Sequence, residues 1–86
     1  MKKYWPECSL KELQSLFESR VQIFKTAVRE SDYERAERSA QYLIDLQRYT
    51  KIERNVALGE KMQDRITLLK AAYDRIFSLP TDETDF

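Results

Sequence analysis

Residues 53–62 read ERNVALGEKM, and Gly59 is the only glycine in the 86-residue chain. If the chain turns here, two neighbouring helices close on each other and the protein is a three-helix bundle. If one helix runs through, the result is a long hairpin whose apolar face needs a second copy. A lone interior glycine costs a helix only about 1 kcal/mol, and Val56, Ala57 and Leu58 are acceptable helix residues. The stretch alone therefore does not choose, and the apolar pattern on either side must.

After the stretch, Met62, Ile66, Leu69, Tyr73 and Ile76 recur in steps of four and three, with Phe77 beside them. That is a narrow seam of the coiled-coil kind. Carried backward, the seam meets Gly59 and then Asn55. Before the stretch, Tyr42, Tyr49 and Val56 repeat every seven residues, with Ile52 alongside. On one continuous helix the two stripes would stand on different sides. Both observations predict a break between Asn55 and Gly59, with the glycine ending or capping a helix. The last helix is expected over 60–78, stopping before Pro80, because the residue preceding a proline is pushed out of helical geometry.

Toward the N-terminus, Ser9-Leu10-Lys11-Glu12 is a capping box, in which serine and glutamate each accept from the other's backbone N–H. Cys8, just before the cap, is placed to pack on Leu13 as a hydrophobic staple. From there Leu10, Leu13, Leu16, Phe17, Val21, Ile23, Phe24, Ala27 and Val28 share one broad face. Arg20 projects from the middle of that face. Ser31-Asp32-Tyr33-Glu34 reads as a second capping box, so a tight antiparallel turn is expected near Glu30. The second helix, over 32–56, presents Tyr33, Ala36, Ala40, Leu43 and Ile44 on one side and the Tyr42–Tyr49–Val56 stripe on another. Gln47, like Arg20, projects into an apolar face.

Composition agrees with an all-α chain: one glycine and two prolines leave little turn chemistry for strands. Fifteen basic and fifteen acidic residues cancel, but the last eight residues hold three acids and no base. A body this weakly positive does not argue for nucleic acid. With one cysteine no internal disulfide forms, and no apolar run approaches a membrane span or a signal sequence, so a cytoplasmic protein is expected.

Catalysis is not expected. The chain has no histidine, the commonest general base near neutral pH, and one cysteine supplies neither a CxxC pair nor a thiolate zinc site. No glycine-rich loop exists to hold phosphate. Carboxylates at helical spacing, Glu30/Glu34 and Glu60/Asp64, read as solvated surface. Catalytic, cofactor and metal residues are thus all expected to be none. Arg48, Lys51 and Arg54 cluster around Tyr49, a pattern that can hold a phosphate backbone beside a stacked base. The plainer reading is three cations complementing a helix C-terminus.

Residues 31–36, SDYERA, resemble the turn and second-helix start of a tetratricopeptide unit, with its Asp-Tyr-x-x-Ala pattern, and small bundles that dock on microtubule-related and membrane-remodelling partners. The resemblance implies a groove for a peptide helix. The repeat's tryptophan, glycine and proline positions are not filled, and there is no second repeat. Thr84-Asp85-Phe86 resembles the ends read by PDZ-type domains and the acidic, Phe-terminated tips of bacterial single-strand-binding proteins, which implies Phe86 as a contact.

The sequence therefore predicts a three-helix antiparallel bundle over 9–78, with an N-terminal extension (1–8) and an acidic, disordered tail (79–86). The alternative is a long helical hairpin forming a homodimer. The expected role is non-enzymatic binding of another protein, or of itself, through Tyr42, Tyr49, Ile52, Val56 and Phe86. The alternative is a nucleic-acid-associated regulator using Arg48, Lys51 and Arg54.

Overall fold

The computed structural model describes residues 4–74, and among them there is no strand. A 3-10 turn, Trp5–Glu7, leads into α1 (Leu10–Arg29), α2 (Tyr33–Tyr49), a π-helical turn (Thr50–Arg54) and α3 (Val56–Ala72). Arg65 meets Glu18 at 2.7 Å, and the ring of Tyr73 meets that of Phe24 at 5.3 Å between centroids. Both sequence positions advance together, so α1 and α3 run the same way and α2 runs against both. The chain is a three-helix bundle, and the unbroken hairpin is set aside.

The start of α1 follows from its capping box. Ser9 Oγ accepts from the Glu12 N–H at 3.1 Å, and Glu12 Oε1 accepts from the Ser9 N–H at 2.7 Å. Cys8 is buried in the same apolar cluster as Leu13, where the staple would place it. Leu13, Phe17, Val21, Phe24 and Ala27 form the buried stripe. That stripe is narrower than the sequence reading: Leu10 and Ile23 are exposed, and Leu16 and Val28 are only half-buried. Ala36, Ser39 and Ala40 bring α2 close to α1, and Leu43 and Leu46 are fully buried. Leu46 lay outside the expected face, while Tyr33 lies exposed rather than in it.

The α1–α2 turn corrects the second capping box. Ser31 has φ 61°, the left-handed region, and so cannot cap the next helix. It ends α1 instead: the Ser31 N–H donates to Val28 O at 3.0 Å and the Asp32 N–H to Ala27 O at 2.8 Å. This is a Schellman ending with serine where glycine is usual. Asp32 caps α2, its Oδ1 accepting from the Arg35 N–H at 3.2 Å. Left-handed backbone costs a side-chain-bearing residue about 1 kcal/mol relative to glycine. Ser31→Gly should therefore raise stability by about 0.5–1 kcal/mol, read as a higher urea midpoint at unchanged slope. A lower midpoint would mean that Ser31 contributes something beyond filling that position.

The chain does turn within ERNVALGEKM, at Asn55 rather than Gly59. The Asn55 N–H closes the π turn on Thr50 O at 2.7 Å, and Asn55 is itself extended, at φ −159° and ψ 114°. Its side chain then caps α3, Oδ1 accepting from the Leu58 N–H at 2.9 Å. Val56 opens α3 instead of closing α2, so the boundaries expected at 56 and 60 both move.

Gly59 neither ends nor caps a helix. It has no positive φ and lies buried in the second turn of α3. Its reason is close approach: a Cβ there would fall 2.5 Å from Lys51 Cα and 2.7 Å from Lys51 N, with Lys51 Cβ nearer still. Two helical segments joined through a single extended residue cross at their nearest four residues either side, and one must lack a side chain. The seam that looked broken at Gly59 continues through it, since Gly59, Met62, Ile66 and Leu69 are the buried residues of α3.

The helix closes at Ala72, with Tyr73 at φ −130° and ψ 44°, short of the expected 78. Ile76, Phe77, Pro80 and the acidic tail through Phe86 lie outside the described residues.

Candidate binding surface

Pro6, with its fixed backbone angle, stands in the first positions of the 3-10 turn that brings the N-terminal segment back across the bundle. Trp5 lands on the two tyrosines of the stripe. Its ring meets Tyr42 edge-on at 5.6 Å and Tyr49 at 5.5 Å with a 41° tilt. On Tyr42 the Arg20 guanidinium lies 4.1 Å from the ring centroid, so the odd cation on the face of α1 completes an arginine–tyrosine–tryptophan stack. Tyr42 and Tyr49 are half-buried, and the N-terminal segment supplies part of their cover. Gln47, the other polar intruder, is buried and donates through Nε2 to Gly59 O at 3.5 Å.

Arg54 fixes the segment from below. Its guanidinium donates to Trp5 O at 3.1 Å and to Cys8 O at 2.7 Å. The fork geometry of arginine suits two carbonyls at once, which a lysine ammonium would not match. The guanidinium of Arg54, one of the three cations considered for nucleic acid, is thus engaged within the chain. Lys51 Nζ donates to Gln63 Oε1 at 3.2 Å, across to α3, and Arg48 is exposed. The three cations are not presented together as one open patch.

The remaining stripe residues do face solvent, Ile52 at 73% and Val56 at 57%. Ile52 stands in the π-helical turn and Val56 opens α3, two positions either side of Arg54 in the chain. A shallow depression of about 330 Å³ lies on the N-terminal segment, lined by Tyr4, Trp5, Pro6 and Tyr49. Tyr4 is exposed at 76%. Of the residues singled out from the sequence, Tyr49 lines this depression, Tyr42 packs on Trp5, and Ile52 and Val56 are exposed on the chain that follows Tyr49. Phe86 lies outside the described residues. Trp5 was missed, because it precedes the first α-helix and belongs to no apolar stripe.

A second depression runs between the N-terminal halves of α1 and α3, with Leu10, Ala57 and Leu58 as apolar lining and Lys11 and Lys61 among its walls. Farther along it the Glu18–Arg65 pair joins the two helices. Among the described residues no group of three histidine, cysteine or carboxylate side chains is placed to hold a metal ion. No described helix is long and apolar enough to cross a membrane.

Compared with protein families, curated proteins and solved structures, the chain matches none. The reading of its surface therefore rests on the side chains alone.

Proposed function

We propose that the protein is a non-enzymatic binding module that engages another protein through the corner formed by Tyr4, Trp5, Tyr49, Ile52 and Val56. The observation that carries this reading is the exposure of Ile52 and Val56 on the chain that follows Tyr49, which itself lines an aromatic depression with Tyr4 and Trp5. Single exposed aliphatics are ordinary, but two exposed within five residues, next in sequence to an exposed aromatic surface, have the composition of an interface core. Trp5 and Tyr49 offer rigid contact area at small entropic cost, as interface anchors do. A second copy of the chain would satisfy the same surface. The lone buried Cys8 suits a reducing compartment, and the reading places the module in the cytosol.

A nucleic-acid role using Arg48, Lys51 and Arg54 is the weaker proposal, because Arg54 spends its donors on Trp5 and Cys8 carbonyls.

The test compares full-length wild type, Ile52→Glu/Val56→Glu and Leu68→Glu as baits, with light scattering for self-association. Leu68 is equally exposed, at 67%, but sits on α3 away from the corner, and serves as the control. Burying an aliphatic side chain is worth about 1.5–3 kcal/mol, so the double variant should weaken capture or self-association by roughly tenfold or more. Leu68→Glu should leave both unchanged. Equal behaviour of all three proteins removes the proposal.

A further inference from the structure

The N-terminal segment Tyr4–Cys8 is bonded mainly to itself. The Glu7 N–H donates to Tyr4 O at 2.9 Å and the Cys8 N–H to Trp5 O at 3.0 Å. Side chains close the same loop, the Tyr4 N–H donating to Glu7 Oε1 at 3.4 Å and Cys8 Sγ to Tyr4 O at 3.5 Å. Among the described residues no backbone hydrogen bond joins the segment to α2, the π turn or α3. Side chains alone hold it down: the Arg54 fork on the Trp5 and Cys8 carbonyls, the Trp5 ring on Tyr42 and Tyr49, and the buried Cys8.

Its boundary with α1 is a natural hinge. Ser9 is extended, at φ −75° and ψ 167°, and with Glu12 it caps α1 without help from the residues before it. The first turn of α1 therefore survives if the segment swings away. The close α1–α2 packing at Ala27 and Ala36 lies at the other end of the bundle, beside the Ser31 turn. A piece of chain with internal bonds, side-chain attachment and a self-sufficient neighbour opens at lower free energy than the whole domain.

We propose that Tyr4–Cys8 is a strap that opens as one piece on an intact bundle, with Arg54 as its latch, and that the contact corner exists only while the strap is closed. Opening withdraws Tyr4, Trp5 and Pro6 from the depression they line with Tyr49, and it bares the Cys8 thiol. A partner that grips the corner binds the closed form alone and so holds the strap shut. This control of binding rests on the corner being a contact surface, as proposed above, whereas the opening of the strap does not.

The experiment needs no partner. It uses the full chain and the thiol of Cys8, the only cysteine, with excess N-ethylmaleimide as the probe and mass as the readout. In wild type, labelling should quicken only weakly with urea below the unfolding transition, because opening the strap exposes little surface. Arg54→Ala should label at least about tenfold faster, the loss expected for hydrogen bonds from a charged donor, with an unchanged circular dichroism spectrum. Leu69→Ala, buried toward the other end of α3, should lower the urea midpoint and leave the labelling rate in water as it was. Wild-type labelling that follows urea as steeply as the loss of helix overturns the strap, whatever the variants do. So does an Arg54→Ala rate equal to wild type, or a Leu69→Ala rate that rises in step with the stability lost. Equal capture by wild type and Ile52→Glu/Val56→Glu would overturn the corner and its control by the strap, yet leave these rates untouched, so the two readings fall separately.

Discussion

Gly59→Ala is expected to destabilise the protein by about 2–3 kcal/mol, where the same change in an ordinary helix interior would gain about 1 kcal/mol. The sign is the informative part. Propensity favours alanine at any exposed helical site, and Gly59 has the helical backbone that alanine prefers. Opposing it is a methyl group 2.5 Å from Lys51 Cα and 2.7 Å from Lys51 N, closer than real Cβ contacts come. Those are backbone atoms in the π turn, which cannot swing aside as a side-chain tip does. Relief requires α3 to move off the π turn, loosening the Gln47–Gly59 and Lys51–Gln63 contacts that bridge the same crossing. In a domain of this size the loss should lower the melting temperature by about 10–20 °C. An unchanged or higher melting temperature would show that the two segments do not cross so closely.

The same residue illustrates what the sequence made legible. The periodic seam of Met62, Ile66 and Leu69 and the capping box at Ser9 are local patterns, readable because spacing alone determines the face and the cap. The turn in ERNVALGEKM was legible too, as two stripes that do not share a helix. Its mechanism was not, because glycine serves both as a left-handed cap and as a close-approach residue. Only the distance to Lys51 distinguishes the two. Ser31 misled for a related reason: serine followed three residues later by glutamate is the capping-box pattern, and nothing local reveals a left-handed serine. The aromatic stripe was read as a contact surface, but Trp5, dozens of residues earlier, packs on its Tyr42 and Tyr49. A long-range contact of that kind leaves no periodicity to read.

That long-range contact sets the second large expected effect. Trp5→Ala should cost about 2–3 kcal/mol, somewhat below the value for a fully buried tryptophan because Trp5 is only half-buried. The loss comes from the faces of Tyr42 and Tyr49, which would then meet water. Arg54→Ala attacks the same segment from the other side, withdrawing the donors from the Trp5 and Cys8 carbonyls while leaving the indole in place. Ring and guanidinium hold one short segment, so once either is lost the other has less left to hold. The double variant should therefore cost less than the sum of the singles, by about 1 kcal/mol, in a double-mutant cycle from urea unfolding. Strict additivity would mean the two contacts act on independently held pieces of chain. Trp5 is the only tryptophan, so its emission reports the docking directly. Arg54→Ala should shift that emission to the red with the helices intact, and Arg54→Lys should shift it too, because a point charge does not bridge two carbonyls as the fork does. A docked segment that can be loosened this way also sets the shape of the proposed contact corner, since Tyr4, Trp5 and Pro6 form three of the four walls of its depression. Variants that undock the segment should then weaken capture as much as Ile52→Glu/Val56→Glu does, although they alter neither aliphatic side chain.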